Sequence, residues 1–165
     1  MRHAEAHRTE ERPMGLEQIL RNNREAILVK AIAALRRSHL EHYEAAGPEQ
    51  IRARLDTLLG LVIEAVLARN LAPVISHANA VATARFEAGV DLAEVQTAYN
   101  VLEEVLWLEI LKVLPASDQA EALGLVGTVL GTGKDNLARQ YVSLATQTRT
   151  PSLDLKALFS GTDGL

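Results

Sequence analysis

The stretch "RFEAGVDLAEVQTAYNVLEEVLWLEI", residues 85–110, predicts a sharp corner between two helices. Gly89 can adopt the left-handed conformation that ends a helix without steric cost. Asp91 suits an N-cap whose carboxylate accepts backbone N–H groups of the next turn, and Glu94 stands where a capping-box partner lies. Two apolar residues flank the cap at the spacing of a hydrophobic staple, namely Val90 and Val95. The stretch therefore encodes a helix end, a short turn and a helix start.

Apolar residues recur at helical spacing on both sides of this corner, and helix breakers divide the chain into five predicted helices. We expect them to span about 15–45, 48–70, 73–88, 92–114 and 118–148. Ser117 is placed to cap the last of these helices. No strand pattern and no internal repeat are visible. Because short connections between long helices favour antiparallel neighbours, the sequence predicts an all-α antiparallel bundle of four to five helices. A non-haem globin-like arrangement buries the same kind of stripe and stays open.

Composition indicates a single domain with a substantial core. The chain has 165 residues, of which 48% are hydrophobic, and a net charge of −4. That charge argues against general nucleic-acid binding, which usually needs a basic face. There is no cysteine for a disulfide or a thiolate metal site, and no apolar run suits a signal peptide or a membrane span. We therefore expect a cytoplasmic protein that has no cofactor and binds neither nucleic acid nor membrane.

The two ends of the chain differ from its middle. Residues 1–14 are polar and charged, which predicts a disordered segment, and residues 15–148 form the predicted helical domain. Residues 149–165 are expected to be a tail that docks on the bundle or begins a further element. The tail carries a short apolar cluster, Leu153, Leu155, Leu158 and Phe159.

Motifs that suggest catalysis are incomplete. In "GTVLGTGKDN", residues 127–136, Asp135 follows Lys134 where a phosphate loop needs Ser or Thr, and no strand precedes the stretch. His39 and His42 are interleaved with glutamates, but Glu-x-x-His, which a di-iron bundle requires, occurs nowhere. Glu103 and its neighbour Glu104 point about 100° apart on a helix, so they do not face one substrate. We expect no enzyme. An enzyme using these glutamates or histidines remains the third hypothesis.

Small residues recur near one face of the last predicted helix. Each glycine inside a helix costs about 1 kcal/mol relative to alanine, so several of them in one helix need a compensating reason. Close helix packing, a dimer seam and a kink near 131–133 are possible reasons, as is a ligand against the bare backbone. The candidate packing or seam residues are Gly124, Gly127, Gly131 and Ala138.

A longer pattern surrounds the opening stretch. His77 and Arg85 lie on one predicted helix, the Gly-apolar-Asp corner at 89–91 follows, and residues 92–102 read L-x-E-V-x-x-x-Y-x-x-L. This pattern resembles the N-terminal helical domain of the RsbR-type stressosome regulators, the RsbT co-antagonist family, and of related sensor kinases. The chain departs from the pattern at Glu103, where arginine is expected after leucine.

The resemblance implies an input module without catalysis that dimerises and couples a signal to an output domain, such as an anti-anti-sigma or kinase domain. We therefore expect a non-enzymatic bacterial signalling domain, a homodimer with an output or regulatory partner protein. The alternative is a small-molecule or haem-binding sensor with a pocket in the bundle. The residues expected to line a pocket or contact a partner are His77, Arg85, Tyr99, Glu103 and Trp107.

Overall fold

The computed structural model describes residues 15–149, which form seven α-helices and no strand. The predicted all-α class is confirmed for this part of the chain. The predicted N-terminal segment and the tail cluster Leu153, Leu155, Leu158 and Phe159 lie outside the described residues. The helices are α1 (Leu16–Asn22), α2 (Arg24–Arg37), α3 (Glu41–Ala46), α4 (Pro48–Ala68), α5 (Ala72–Glu87), α6 (Leu92–Val113) and α7 (Ala116–Arg149).

The predicted first helix, residues 15–45, is wrong, because three helices occupy this segment. Asn23 separates α1 from α2 with φ −98° and ψ 9°, and its side-chain amide donates to Glu109 Oε1 at 2.9 Å. His39 lies between α2 and α3 with φ +47°. Apolar residues keep their helical spacing across both breaks, so periodicity alone does not reveal them. The expected count of four to five helices is thereby raised to seven among residues 15–149.

The other predicted helices agree with α4 to α7 within two residues at each end. Helix α4 ends at Ala68, and its C-cap Arg69 takes the left-handed conformation with φ +51°. Helix α7 begins at Ala116, so the prediction that Ser117 caps it is wrong. Ser117 lies inside the first turn, where its hydroxyl donates to Asp118 Oδ1 at 2.8 Å. Helix α7 then continues without interruption through Gly131 and Gly133.

A single hydrophobic core connects the helices. Helix α7 packs along α5 and α6, and α2 packs against α6 and α4. No helix among residues 15–149 has the length and hydrophobicity needed to cross a membrane. The largest fully buried side chains are Ile19, Leu20, Ile27, Leu28, Leu35, Leu55, Leu59, Leu102, Leu106, Ile110, Leu130 and Leu137.

A buried carboxylate joins the N-terminal helices to α6. Glu109 is 4% exposed, and it accepts hydrogen bonds from Lys30 Nζ at 2.7 Å and from the Asn23 amide. Removing a carboxylate from water is costly unless donors replace the water. These two donors supply that compensation and fix the α1–α2 junction over one turn of α6.

Helices α6 and α7 approach each other closely at one glycine. A Cβ at Gly133 would lie 2.7 Å from Cε1 of Tyr99 and 3.4 Å from Val74 Cγ1. Tyr99 is itself 3% exposed, so the added Cβ would press on a buried ring. The bare backbone of α7 therefore forms the surface on which this ring packs.

We expect Gly133→Ala to lower the free energy of unfolding by about 1–3 kcal/mol, because overpacking displaces buried side chains. Gly131→Ala is the matched control, since a Cβ at Gly131 would meet no atom within 4 Å. The control should stabilise by up to about 1 kcal/mol through helix propensity. Urea unfolding of both variants measures the difference. Equal effects of the two substitutions would contradict the close contact.

Candidate ligand-binding cavity

A cavity of about 220 Å³ lies between α3, α4, α5 and α6. Exposed residues of α4, Gln50, Ala53 and Thr57, border its mouth. The remaining lining residues are Tyr43, Arg54, Leu55, Leu58, His77, Val81, Arg85, Val95, Ala98 and Tyr99. Most of the wall area is apolar, and the polar lining residues come from all four helices.

The corner at 89–91 brings the α5 and α6 residues of this cavity together. Gly89 has φ +73°, and Asp91 Oδ1 accepts the Ala93 N–H at 2.7 Å, so the predicted left-handed residue and N-cap are confirmed. Val90 and Val95, the predicted staple, are both buried. Three of the residues singled out in the sequence, His77, Arg85 and Tyr99, line the same cavity.

Tyr99, one of the lining residues, carries a hydroxyl that is not satisfied within the described part of the chain. This hydroxyl is buried, and it has no hydrogen-bond partner among residues 15–149. Burial, helped by nearby Tyr43, raises the pKa of Tyr99 to about 12. The phenol therefore remains protonated at neutral pH and retains a proton to donate.

Two arginines bring positive charge to the cavity. Arg54 Nη2 donates to Gln50 Oε1 at 2.7 Å, and the Arg54 guanidinium carbon lies 5.8 Å from the Tyr43 ring centroid. Burial and the positive charge of Arg85 together lower the pKa of Arg54. Within the described part of the chain, neither arginine forms an ion pair with a carboxylate.

His77 lies half-buried on the α5 side of the cavity. Burial lowers the pKa of His77 below its ordinary value, which favours the neutral imidazole at pH 7. A neutral imidazole is able to ligate haem iron. However, the 220 Å³ volume is below the range of about 300–1,000 Å³ that encloses drug-sized ligands, and a porphyrin is larger still. The cavity fits a smaller molecule.

Glu103 and Trp107 do not line this cavity. Glu103 Oε2 accepts a hydrogen bond from Lys134 Nζ at 2.6 Å, which makes a partly buried ion pair between α6 and α7. Trp107 is 45% exposed on α6, where Leu108 and Leu111 are exposed as well. These residues therefore belong to an outer surface of α6.

The predicted seam residues lie along α7. Gly124 is exposed and Gly131 half-buried, and a Cβ at either position would meet no atom within 4 Å. A Cβ at Gly127 would lie 3.8 Å from Glu103 Oε1, and Ala138 is half-buried. Packing inside the chain therefore does not require glycine at 124 or 131. A role in a dimer seam stays a prediction.

Sequence reasoning missed Arg54 and Tyr43. Arg54 lies three residues after buried Ile51 and four before buried Leu58, so its position on the inward face of α4 was readable from spacing. Tyr43 stands in the stretch "SHLEHYE", where we considered only the histidines and glutamates. It is 8% exposed and forms the α3 wall of the cavity.

Glu94 holds α3 in place beside the cavity. Its Oε1 accepts the N–H groups of His42 at 2.8 Å and Tyr43 at 3.2 Å, and its Oε2 lies 2.8 Å from His42 Nδ1. The predicted capping box within α6 is therefore wrong, because this carboxylate binds the start of a different helix. Residues 15–149 contain no cluster of three or more potential metal ligands, His39 and His42 included.

Comparison with known protein families identifies one match. A family model described as the RsbT co-antagonist protein rsbRD N-terminal domain matches residues 25–152. This range includes every residue that lines the cavity. Searches of curated proteins and of solved structures find no match.

We expect Glu94→Ala to destabilise the protein by about 2 kcal/mol, because hydrogen bonds to a charged acceptor are lost and two N–H groups lose their partner. Glu64→Ala, an exposed position on α4, is the control and should change stability by less than about 0.5 kcal/mol. Hydrogen exchange by mass spectrometry should show faster exchange in α3 for Glu94→Ala. Unchanged protection of the α3 amides against exchange would contradict the proposal that Glu94 holds α3 in place.

Proposed function

The chain belongs to the family of RsbT co-antagonist rsbRD N-terminal domains, and we propose that it is the input module of a stressosome-type assembly. Domains of this family are regulatory modules and not catalytic ones. The family suggests RsbT or RsbS as partners. In this proposal the domain receives a signal and alters how the assembly restrains RsbT.

The observation that supports an input role most directly is the cavity. The pattern residues His77, Arg85 and Tyr99 come from two helices and line one cavity. A molecule bound there would contact α3, α4, α5 and α6 at the same time, and would stabilise one arrangement of these helices over others.

Helix α7 offers a route by which that change travels. It packs along both α5 and α6, and it spans 34 residues, or about 51 Å at the rise of an α-helix. Tyr99 lines the cavity and also contacts the backbone of α7 at Gly133. A shift of this ring on ligand binding would therefore directly change its contact with α7.

The signalling role is tested in the native host by deleting the coding region. We expect genes controlled through RsbT to lose their normal dependence on stress, measured with a transcriptional reporter. Arg85→Gln should cause the same defect, whereas Ser76→Arg, an exposed change on the same helix, should not. Protein levels are compared by immunoblot. A deletion strain that responds as the wild type does would refute the proposed role.

A second proposed property, homodimerisation, is supported by the outer surface of α6 and α7. Gly124, Gly131 and exposed Val142 share one face of α7, since their spacings of seven and eleven residues are close to whole turns. On α6, Trp107 lies one turn after Glu103, and the side chain of Glu103 lies beside Gly127 of α7. A large exposed aromatic beside small residues suits a helix-to-helix seam.

We expect the protein to be a dimer by size-exclusion chromatography with light scattering, and Gly124→Arg to be monomeric. The substitution adds a large charged side chain on this face without touching the core, because a Cβ at Gly124 meets no atom within 4 Å. Ser76→Arg provides the matched control and should remain dimeric. A monomeric wild type, or a dimeric Gly124→Arg protein, would exclude this seam.

A further inference from the structure

We propose that the cavity binds a small carboxylate anion with a compact apolar body, held by the guanidinium groups of Arg54 and Arg85 and by the hydroxyl of Tyr99. This inference rests on the proposed input function and names the chemical class of the signal. It is carried by three independent observations: the uncompensated positive charge of the two arginines, the unpaired hydroxyl of the lining residue Tyr99, and the size and apolarity of the cavity walls.

The positive charge is uncompensated, because neither arginine forms an ion pair with a carboxylate of residues 15–149. Arg54 projects from α4 and Arg85 from α5, and both are half-buried. Asp56 is paired with Arg24 at 2.7 Å, and Glu94 is held by the start of α3. Two like charges that share a partly dry space repel each other, and an anion between them would turn that repulsion into attraction.

The hydroxyl of Tyr99 points to a ligand independently of the arginines. A buried polar group that lacks a hydrogen bond destabilises a fold by about 1–3 kcal/mol. No residue among 15–149 satisfies this hydroxyl. An anionic oxygen in the cavity would accept its proton in a charge-assisted hydrogen bond, and the planar arginine forks suit the two oxygens of a carboxylate.

The walls determine the rest of the ligand. The apolar lining residues are Leu55, Leu58, Val81, Val95 and Ala98. An engineered apolar cavity of about 150 Å³ in another protein binds benzene, which has six carbons. On the same scale the 220 Å³ cavity holds about nine non-hydrogen atoms, the size of benzoate. Inorganic phosphate would satisfy the arginines but leave the apolar walls without contacts.

The test is isothermal titration calorimetry of the full chain with benzoate, 4-hydroxybenzoate and 3-methylbutanoate. Benzamide serves as the neutral isostere of benzoate, and inorganic phosphate as the anion without an apolar body. We expect saturable binding of at least one carboxylate at one site per chain. We expect benzamide and phosphate to bind at least about tenfold more weakly. No binding by any carboxylate, or equal binding of benzamide or phosphate, would overturn the proposal.

Variants locate the site within the chain. Arg85→Gln should weaken carboxylate binding at least about tenfold. Tyr99→Phe should also weaken binding, yet leave the melting temperature of the unliganded protein unchanged or higher, because it removes an unsatisfied hydroxyl. Arg69→Gln is the control, since Arg69 is exposed and pairs with Glu121 away from the cavity. Wild-type affinity in Arg85→Gln would overturn the assignment.

Failure of this inference is distinguishable from failure of the proposed function. Calorimetry reports binding by the purified chain, whereas the reporter in the deletion strain reports signalling in the host. A deletion phenotype without carboxylate binding would preserve the signalling role and remove the ligand. Carboxylate binding in a chain whose deletion changes nothing would preserve the site and remove the proposed pathway.

Discussion

The contact between Tyr99 and the bare backbone at Gly133 links the main parts of this structure. It joins α6 to α7 at a distance that no larger residue at 133 permits. The same ring forms part of the cavity wall and places its hydroxyl out of reach of every other described residue. A residue chosen only for packing would need no hydroxyl there. The structure therefore combines a tight helix contact with an unused hydrogen-bond donor.

The charged side chains away from the surface are of two kinds, those with hydrogen-bonding partners that satisfy them and those without a carboxylate partner among residues 15–149. Glu109 is buried, and Lys30 and Asn23 satisfy it, so it contributes to the arrangement of the N-terminal helices. Arg54 and Arg85 share a half-buried space and have no carboxylate partner among the described residues. The first arrangement is what stability requires of a buried charge. The second is typical of a site that awaits a partner of opposite charge.

The corner at residues 89–91 does not line the cavity, but it positions the residues on both sides of it that do. Its glycine and its aspartate cap set the turn between α5 and α6, and the turn brings His77 and Arg85 opposite Tyr99. Glu94 was expected to complete the cap of its own helix. It instead holds α3, which carries Tyr43 to the cavity. One short stretch thus organises three of the four helices around the cavity.

The sequence by itself determined the all-α class, the ends of α4 to α7 to within two residues, and the conformations of Gly89 and Asp91, because these depend on interactions within a few residues. It also singled out His77, Arg85 and Tyr99, through a pattern that resembles the RsbT co-antagonist family. Only the tertiary structure decided that α1, α2 and α3 are separate helices and that Glu94 caps α3. Each of these depends on a partner more than 30 residues away, such as Glu109 for Asn23, and no local pattern encodes that distance.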